Sequence, residues 1–131
     1  MPRSAMDRKQ RVKILLVDDQ PAKLMSYEVI LAPLDEHLVK ASSGAEALRL
    51  LLTTDFAVVV MDVCMPELDG FELARMIREH PRLEKTSIIL VSAVFMSDID
   101  RLRGYHSGAV DYMPVPIIPE VLRAKVSVFV D

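Results

Sequence analysis

Three short runs of unbroken aliphatic residues, 14–17 (ILLV), 58–61 (VVVM) and 88–91 (IILV), limit what this chain can fold into more than any other feature. A strand with one face in water alternates apolar and polar residues, so a run without a polar position reads as a strand buried on both faces. Each run is far too short to cross a membrane, which takes about 20 apolar residues. Each is followed at once by polar residues: Asp18-Asp19, Asp62 and Ser92. Two weaker strand signals, EHLVKA (36–41) and AVDYM (109–113), complete a set of five.

Helical spacing fills the intervals. Pro21 stands where a helix can start, ahead of AKLMSYEVILAPL (22–34). Ser43 and Glu46 form an S-x-x-E capping box at the head of GAEALRLLLTT (44–54). FELARMIREH (71–80) stops before Pro81, SDIDRLRGYHSG (97–108) ends on Gly108, and PEVLRAKVSVFV (119–130) carries Pro119 and Glu120 in its first turn. Five strands alternating with five helices predict an α/β fold: a five-stranded parallel sheet wound on both sides.

The chain has 131 residues, enough for one domain with a substantial core. The core must be aliphatic, because there is no Trp and aromatic residues make up only 5%. The single cysteine, Cys64, excludes an internal disulfide and gives no metal-ligand spacing, and a reducing cytoplasm is the simplest setting. Arg3, Arg8, Lys9, Arg11 and Lys13 face only Asp7 at the N-terminus, whereas the whole chain carries −3. Residues 1–11 read as a basic, flexible tail and 12–131 as the domain. The acidic body and the aromatic-free tail argue against nucleic-acid binding.

Ligands of open α/β sheets bind beyond the C-terminal strand ends, where the strand order reverses. Those ends carry Asp18, Asp19, Asp62 and Ser92, followed on the fifth strand by Met113, Pro114, Val115 and Pro116. If the first and third strands are neighbours, three carboxylates converge. They raise one another's pKa unless a cation sits among them, and a hard oxygen-liking ion such as Mg²⁺ suits the set. One carboxylate can then act as a nucleophile and form an aspartyl phosphate, with Ser92 bonding a phosphoryl oxygen. The bland alternative is that strand-end aspartates cap the helices that follow.

The segments LLVDDQP (15–21), VVMDVCMPELDGFEL (59–73), ILVSA (89–93) and GAVDYMPVP (108–116) resemble the receiver domains of two-component response regulators. The resemblance covers about residues 12–130 and implies a flavodoxin-like fold with strand order 2-1-3-4-5. It implies Asp62 as phosphoacceptor and Asp19 as a direct Mg²⁺ ligand. Asp18 would act mostly through water, and the backbone carbonyl of Cys64 would be the third protein ligand. Ser92 would be the hydroxyl that swings to the phosphoryl group, and Tyr112 the aromatic switch. Asp69-Gly70 would form the turn before the third helix, where glycine tolerates a positive φ. The implied partner is a histidine kinase or phosphotransfer domain. The role is a phosphoacceptor signalling domain rather than an enzyme. A phosphatase or phosphotransferase with an Asp nucleophile is disfavoured, because Cys64 stands where such enzymes have a second Asp.

This chain departs from the family at Val115, where receivers have a lysine that bridges to the phosphoryl group. Residues 110–118 hold no other Lys or Arg to replace it. Pro116 matches the family's proline, so the Val115–Pro116 bond is expected to be cis. Losing a charged hydrogen bond of roughly 1.5–3 kcal/mol would slow transfer about 10- to 100-fold. Two functions follow: a working phosphoacceptor with an altered switch, or a phosphorylation-independent interaction module. Cys64 and Val94 are poor at orienting water, which predicts slow self-dephosphorylation. The family's output face, made by the fourth helix, fifth strand and fifth helix, would include Arg101, Arg103, Tyr105, Tyr112, Val121 and Lys125. The last helix is apolar on more than one stripe, which predicts a homodimer through that face, or a coiled coil continuing into a further module.

Overall fold

The computed structural model describes residues 10–92 and 111–130. The unbroken aliphatic runs form the middle of a five-stranded parallel sheet. Its strands are β1 (Lys13–Val17), β2 (His37–Ala41), β3 (Val58–Asp62), β4 (Ser87–Ser92) and β5 (Asp111–Pro114), in the order β2-β1-β3-β4-β5. This is the flavodoxin-like arrangement expected from the sequence. The fourth expected helix, 97–108, and Val94 lie outside the described residues.

Period-two alternation explains why these runs contain no polar position. Leu15, Val17, Val59, Met61, Ile88 and Leu90 point to one face. There they pack with Ala47 and Leu51 of α2 (Gly44–Thr53) and with Leu73, Ala74 and Ile77 of α3 (Gly70–Glu79). Ile14, Leu16, Val58, Val60, Ile89 and Val91 point to the other. They meet Leu24, Tyr27 and Leu31 of α1 (Pro21–Leu31), and Leu122, Val126 and Val130 of the C-terminal helix (Pro119–Val130). Both faces of the central strands are therefore covered, and a polar residue in these strands would be left without water.

The helix starts are set locally. Pro21 opens α1, while Gln20, the residue before it, makes no side-chain cap. The Ser43 hydroxyl accepts a hydrogen bond from the Glu46 N–H at 3.1 Å. Glu46 reaches back to the Ser42 N–H at 2.9 Å, one residue before the reciprocal bond of an ideal capping box. Asp69 caps α3 by accepting from the Glu72 N–H at 2.8 Å.

Gly70 corrects one expectation. It does not adopt a left-handed φ; what it supplies is the missing side chain. A Cβ there would lie 2.6 Å from the backbone oxygen of Asp62 and 2.9 Å from Cα of Val63. The Gly70 N–H bonds the Val63 carbonyl at 2.9 Å, drawing the head of α3 against the end of β3.

Register places the strand ends together. Val17 pairs with Met61, so Asp18 and Asp62 leave adjacent strands at the same level. Asp62 pairs with Val91 and Ser92 pairs with Pro114, which brings the end of β5 to the same edge of the sheet. Pro114 closes an edge strand, where its lack of an N–H is tolerated. The chain then turns through a cis Val115–Pro116 bond, as expected, and the Val115 N–H bonds the Ser92 carbonyl at 3.0 Å.

Candidate functional site

Asp18, Asp19 and Asp62 each offer a carboxylate oxygen, and these oxygens lie within 4.8 Å of one another. Asp18 and Asp62 are buried, at 0% and 2% exposure, and Ser92 beside them is 3% exposed. The three carboxylates are not equivalent. Both oxygens of Asp18 are held by the protein: Oδ1 accepts from the Gln20 N–H at 2.9 Å and Oδ2 from the Tyr27 hydroxyl at 2.7 Å. In contrast, Oδ1 of Asp19 and Oδ1 of Asp62 are shielded from solvent and have no hydrogen-bond partner.

Two residues that the sequence did not single out complete the cluster. Lys23, in the first turn of α1, places its Nζ 3.5 Å from Oδ2 of Asp62 and 3.9 Å from Oδ2 of Asp18. Tyr27 follows one helical turn later and reaches the same carboxylate edge. The sequence carried only part of their signal, as spacing. Lys23 and Tyr27 are four apart, beside the apolar Leu24, on the stripe of α1 that faces β1 and β3.

Burial raises the Asp62 pKa above the usual carboxylate range, and the neighbouring charge of Asp18 raises it further. Lys23 and the backbone N–H of Cys64 oppose that shift. The Tyr27 hydroxyl is also held protonated, by burial and then by its bond to Asp18. Among the described residues a single ammonium approaches the three carboxylates, which leaves an excess of negative charge. Two shielded oxygens without donors and that excess charge fit a divalent, oxygen-liking cation such as Mg²⁺.

The remaining expected residues lie around this cluster. Cys64 has an exposed side chain and follows Asp62 by two positions. Tyr112 pairs with Leu90 and packs, half-buried, on the core face shared with α2 and α3. Val115 is 38% exposed. Of the expected output face, Tyr112, Val121 and Lys125 are described, whereas Arg101, Arg103 and Tyr105 lie outside the described residues. Lys125 ties the C-terminal helix to β5 through a 2.7 Å ion pair with Asp111.

A parallel sheet of this order, with an acidic cluster at the ends of β1 and β3 and a hydroxyl at the end of β4, defines a receiver-type signalling domain. Comparison with known proteins agrees: residues 14–127 match the family model of the response regulator receiver domain, and the chain belongs to that family. It is 34% identical over 115 residues to the transcriptional regulatory protein SrrA of Staphylococcus aureus, covering 86% of this chain and 46% of that protein. The chain thus spans about half the length of the curated relatives it matches. Among solved structures, the receiver domain of a signal transduction histidine kinase from Syntrophus aciditrophicus has a TM-score of 0.82 at 30% identity, covering 90% of this chain and 89% of that one. The chemotaxis response regulator CheY4 of Vibrio cholerae has a TM-score of 0.84 at 26% identity, covering 92% of this chain and 100% of that one. Receiver domains bind Mg²⁺ in an acidic pocket and act with histidine kinases or phosphotransfer proteins, and this chain has a cluster of three aspartates.

Proposed function

We propose that Asp62 accepts a phosphoryl group from the phosphohistidine of a kinase or phosphotransfer domain in the cytoplasm, with Mg²⁺ held by Asp19, Asp62 and the Cys64 carbonyl. The observation that carries this reading is the pair of shielded, donor-free oxygens on Asp19 and Asp62. Protein donors already hold both oxygens of Asp18, which suits it to orienting water rather than to direct ligation. Bound there, Mg²⁺ would neutralise charge on the phosphoryl oxygens. Asp62 supplies the nucleophile, and the buried edge of β3 and β4 limits access of water. Ser92 lies one residue beyond the β4 partner of Asp62, within the set that can respond to a phosphoryl group. Tyr112, on the neighbouring strand, would carry that response to the C-terminal helix.

The docking side would be α1 and the β5 loop, where Met25, Val29 and Ile118 expose large apolar side chains. The output side would include Val121 and Val128, exposed and seven residues apart on the C-terminal helix, as a second copy or a continuing coiled coil requires. Among the described residues no helix is long and apolar enough to cross a membrane.

Intact-mass spectrometry after incubation with Mg²⁺ and acetyl phosphate tests the reading, with Asp62→Asn as control. One phosphoryl adduct, absent from the control, is expected. Mg²⁺ binding without an adduct would instead favour a phosphorylation-independent interaction module, which is the reading that Val115 favours.

A further inference from the structure

We propose that Lys23 supplies the phosphoryl-binding cation that this chain lacks at residue 115. The proposal rests on Asp62 being the phosphoacceptor. Among the described residues Lys23 is the one cation within 4 Å of the Asp62 carboxylate, at 3.5 Å. It arrives from α1, which follows β1, and not from the loop after β5 that bears Val115. Its side chain is 27% exposed, so it is not sealed inside the cluster as Asp62 is, at 2%. A lysine has three donors on a flexible four-carbon stem and can follow a charge that moves outward.

The chemistry demands such a group. An oxygen of Asp62 forms a new O–P bond while the N–P bond of the donor phosphohistidine breaks, and the bonding pair stays with the imidazole nitrogen. The three phosphoryl oxygens cross unchanged and bring added negative charge beside the Asp18 carboxylate, which has no donor to offer them. A divalent cation meets part of that charge. Lys23 exchanges its ion pair with Asp62 for a hydrogen bond to a phosphoryl oxygen. Val115 has no donor in its side chain, and its backbone N–H is already bonded to Ser92.

The rival role for Lys23 is a simple counterion that quiets the carboxylates until the metal arrives. The two roles separate at saturating Mg²⁺. The experiment measures the rate of adduct formation with acetyl phosphate, and Mg²⁺ affinity by calorimetry, for the unaltered chain, Lys23→Met, and Lys23→Met with Val115→Lys. The expected result is about a 10- to 100-fold slower rate for Lys23→Met at saturating Mg²⁺, with Mg²⁺ binding kept and the rate at least partly restored by Val115→Lys. Retained Mg²⁺ binding also shows that Lys23→Met is folded. Tighter Mg²⁺ binding with an unchanged or faster rate in Lys23→Met would overturn the proposal and leave the counterion role. A slow rate that Val115→Lys does not restore would overturn it too, in favour of a structural role. An unaltered chain that binds Mg²⁺ but forms no adduct would sink the phosphoacceptor reading itself, which is a different failure.

Discussion

The hydroxyl of Tyr27 donates a 2.7 Å hydrogen bond to Oδ2 of Asp18, and both groups are buried. This bond links the middle of α1 to the first carboxylate of the cluster and fixes how that carboxylate faces its neighbours. Phenylalanine at 27 would keep the packing against Leu24 and Leu31 but leave the Asp18 oxygen without its hydroxyl donor. Tyr27→Phe is expected to lower stability by about 1.5–3 kcal/mol, the range for a hydrogen bond to a charged group. Urea unfolding of the metal-free chain would read this as a lower midpoint with an unchanged slope. An unchanged midpoint would mean that Asp18 is adequately held by Gln20 and Lys23.

Asp62 gives the metal-free chain an inverted response to pH. Its folded pKa is raised, by burial first and by Asp18 second. A carboxylate with a raised folded pKa destabilises the fold wherever it is ionised. That penalty is relieved as pH falls through the folded value toward the unfolded value near ~3.9. Over this window the Asp62 contribution therefore strengthens the fold on acidification, the reverse of a salt-bridged aspartate. Asp62→Asn is expected to raise metal-free stability at neutral pH and to flatten the pH profile in that window. Parallel profiles for the two chains would show that Lys23 and the Cys64 N–H already cancel the penalty.

Glycines 44 and 70 look alike in sequence, one at the head of each of two helices, yet they should respond differently to substitution. A Cβ at Gly70 meets rigid backbone, the oxygen of Asp62 at 2.6 Å and Cα of Val63 at 2.9 Å. At Gly44 the obstruction is the Leu68 side chain, nearest at 2.8 Å, which can rotate or shift. Gly70→Ala should cost about 1–3 kcal/mol, as overpacking does, and should also displace the end of β3 that carries Asp62. Gly44→Ala should cost less and leave Mg²⁺ binding intact. Thermal melts with and without Mg²⁺ distinguish the two, and equal losses would show that Leu68 cannot give way.

What was legible in the sequence is what local pattern controls. The runs at 14–17, 58–61 and 88–91 read as strands covered on both faces, and in a parallel sheet the polar residues just after them lie at one edge. Ser43 announced its helix through short-range capping, whereas the Asp69 cap was seen only in the structure. Lys23 was hidden because its significance depends on how α1 lies across β1 and β3, which spacing alone does not give. Residues 110–118 hold no substitute lysine, whereas the structure brings Lys23 of α1 to Asp62. Gly70 was visible, but its reason was not: the close approach of α3 to β3 is a tertiary contact, and the expected backbone torsion was the wrong cause.

The inequality between Asp18 and Asp19 makes the last prediction. Asp18 spends both oxygens on protein donors, while Oδ1 of Asp19 has none. A cation should therefore draw most of its protein affinity from Asp19 and Asp62. Binding to the folded chain alone stabilises it by RT ln(1 + [Mg²⁺]/Kd), about 2.7 kcal/mol at a hundredfold excess over Kd. Asp19→Asn should remove most of this Mg²⁺-dependent rise in melting temperature. Asp18→Asn should keep more of it while destabilising the metal-free chain, because the Tyr27 and Gln20 donors lose their charged acceptor. The relevant measurement is the melting temperature of each variant across a Mg²⁺ titration. If Asp18→Asn abolishes the rise and Asp19→Asn spares it, the division of labour is reversed, and the donor-free oxygens are not where the ion binds.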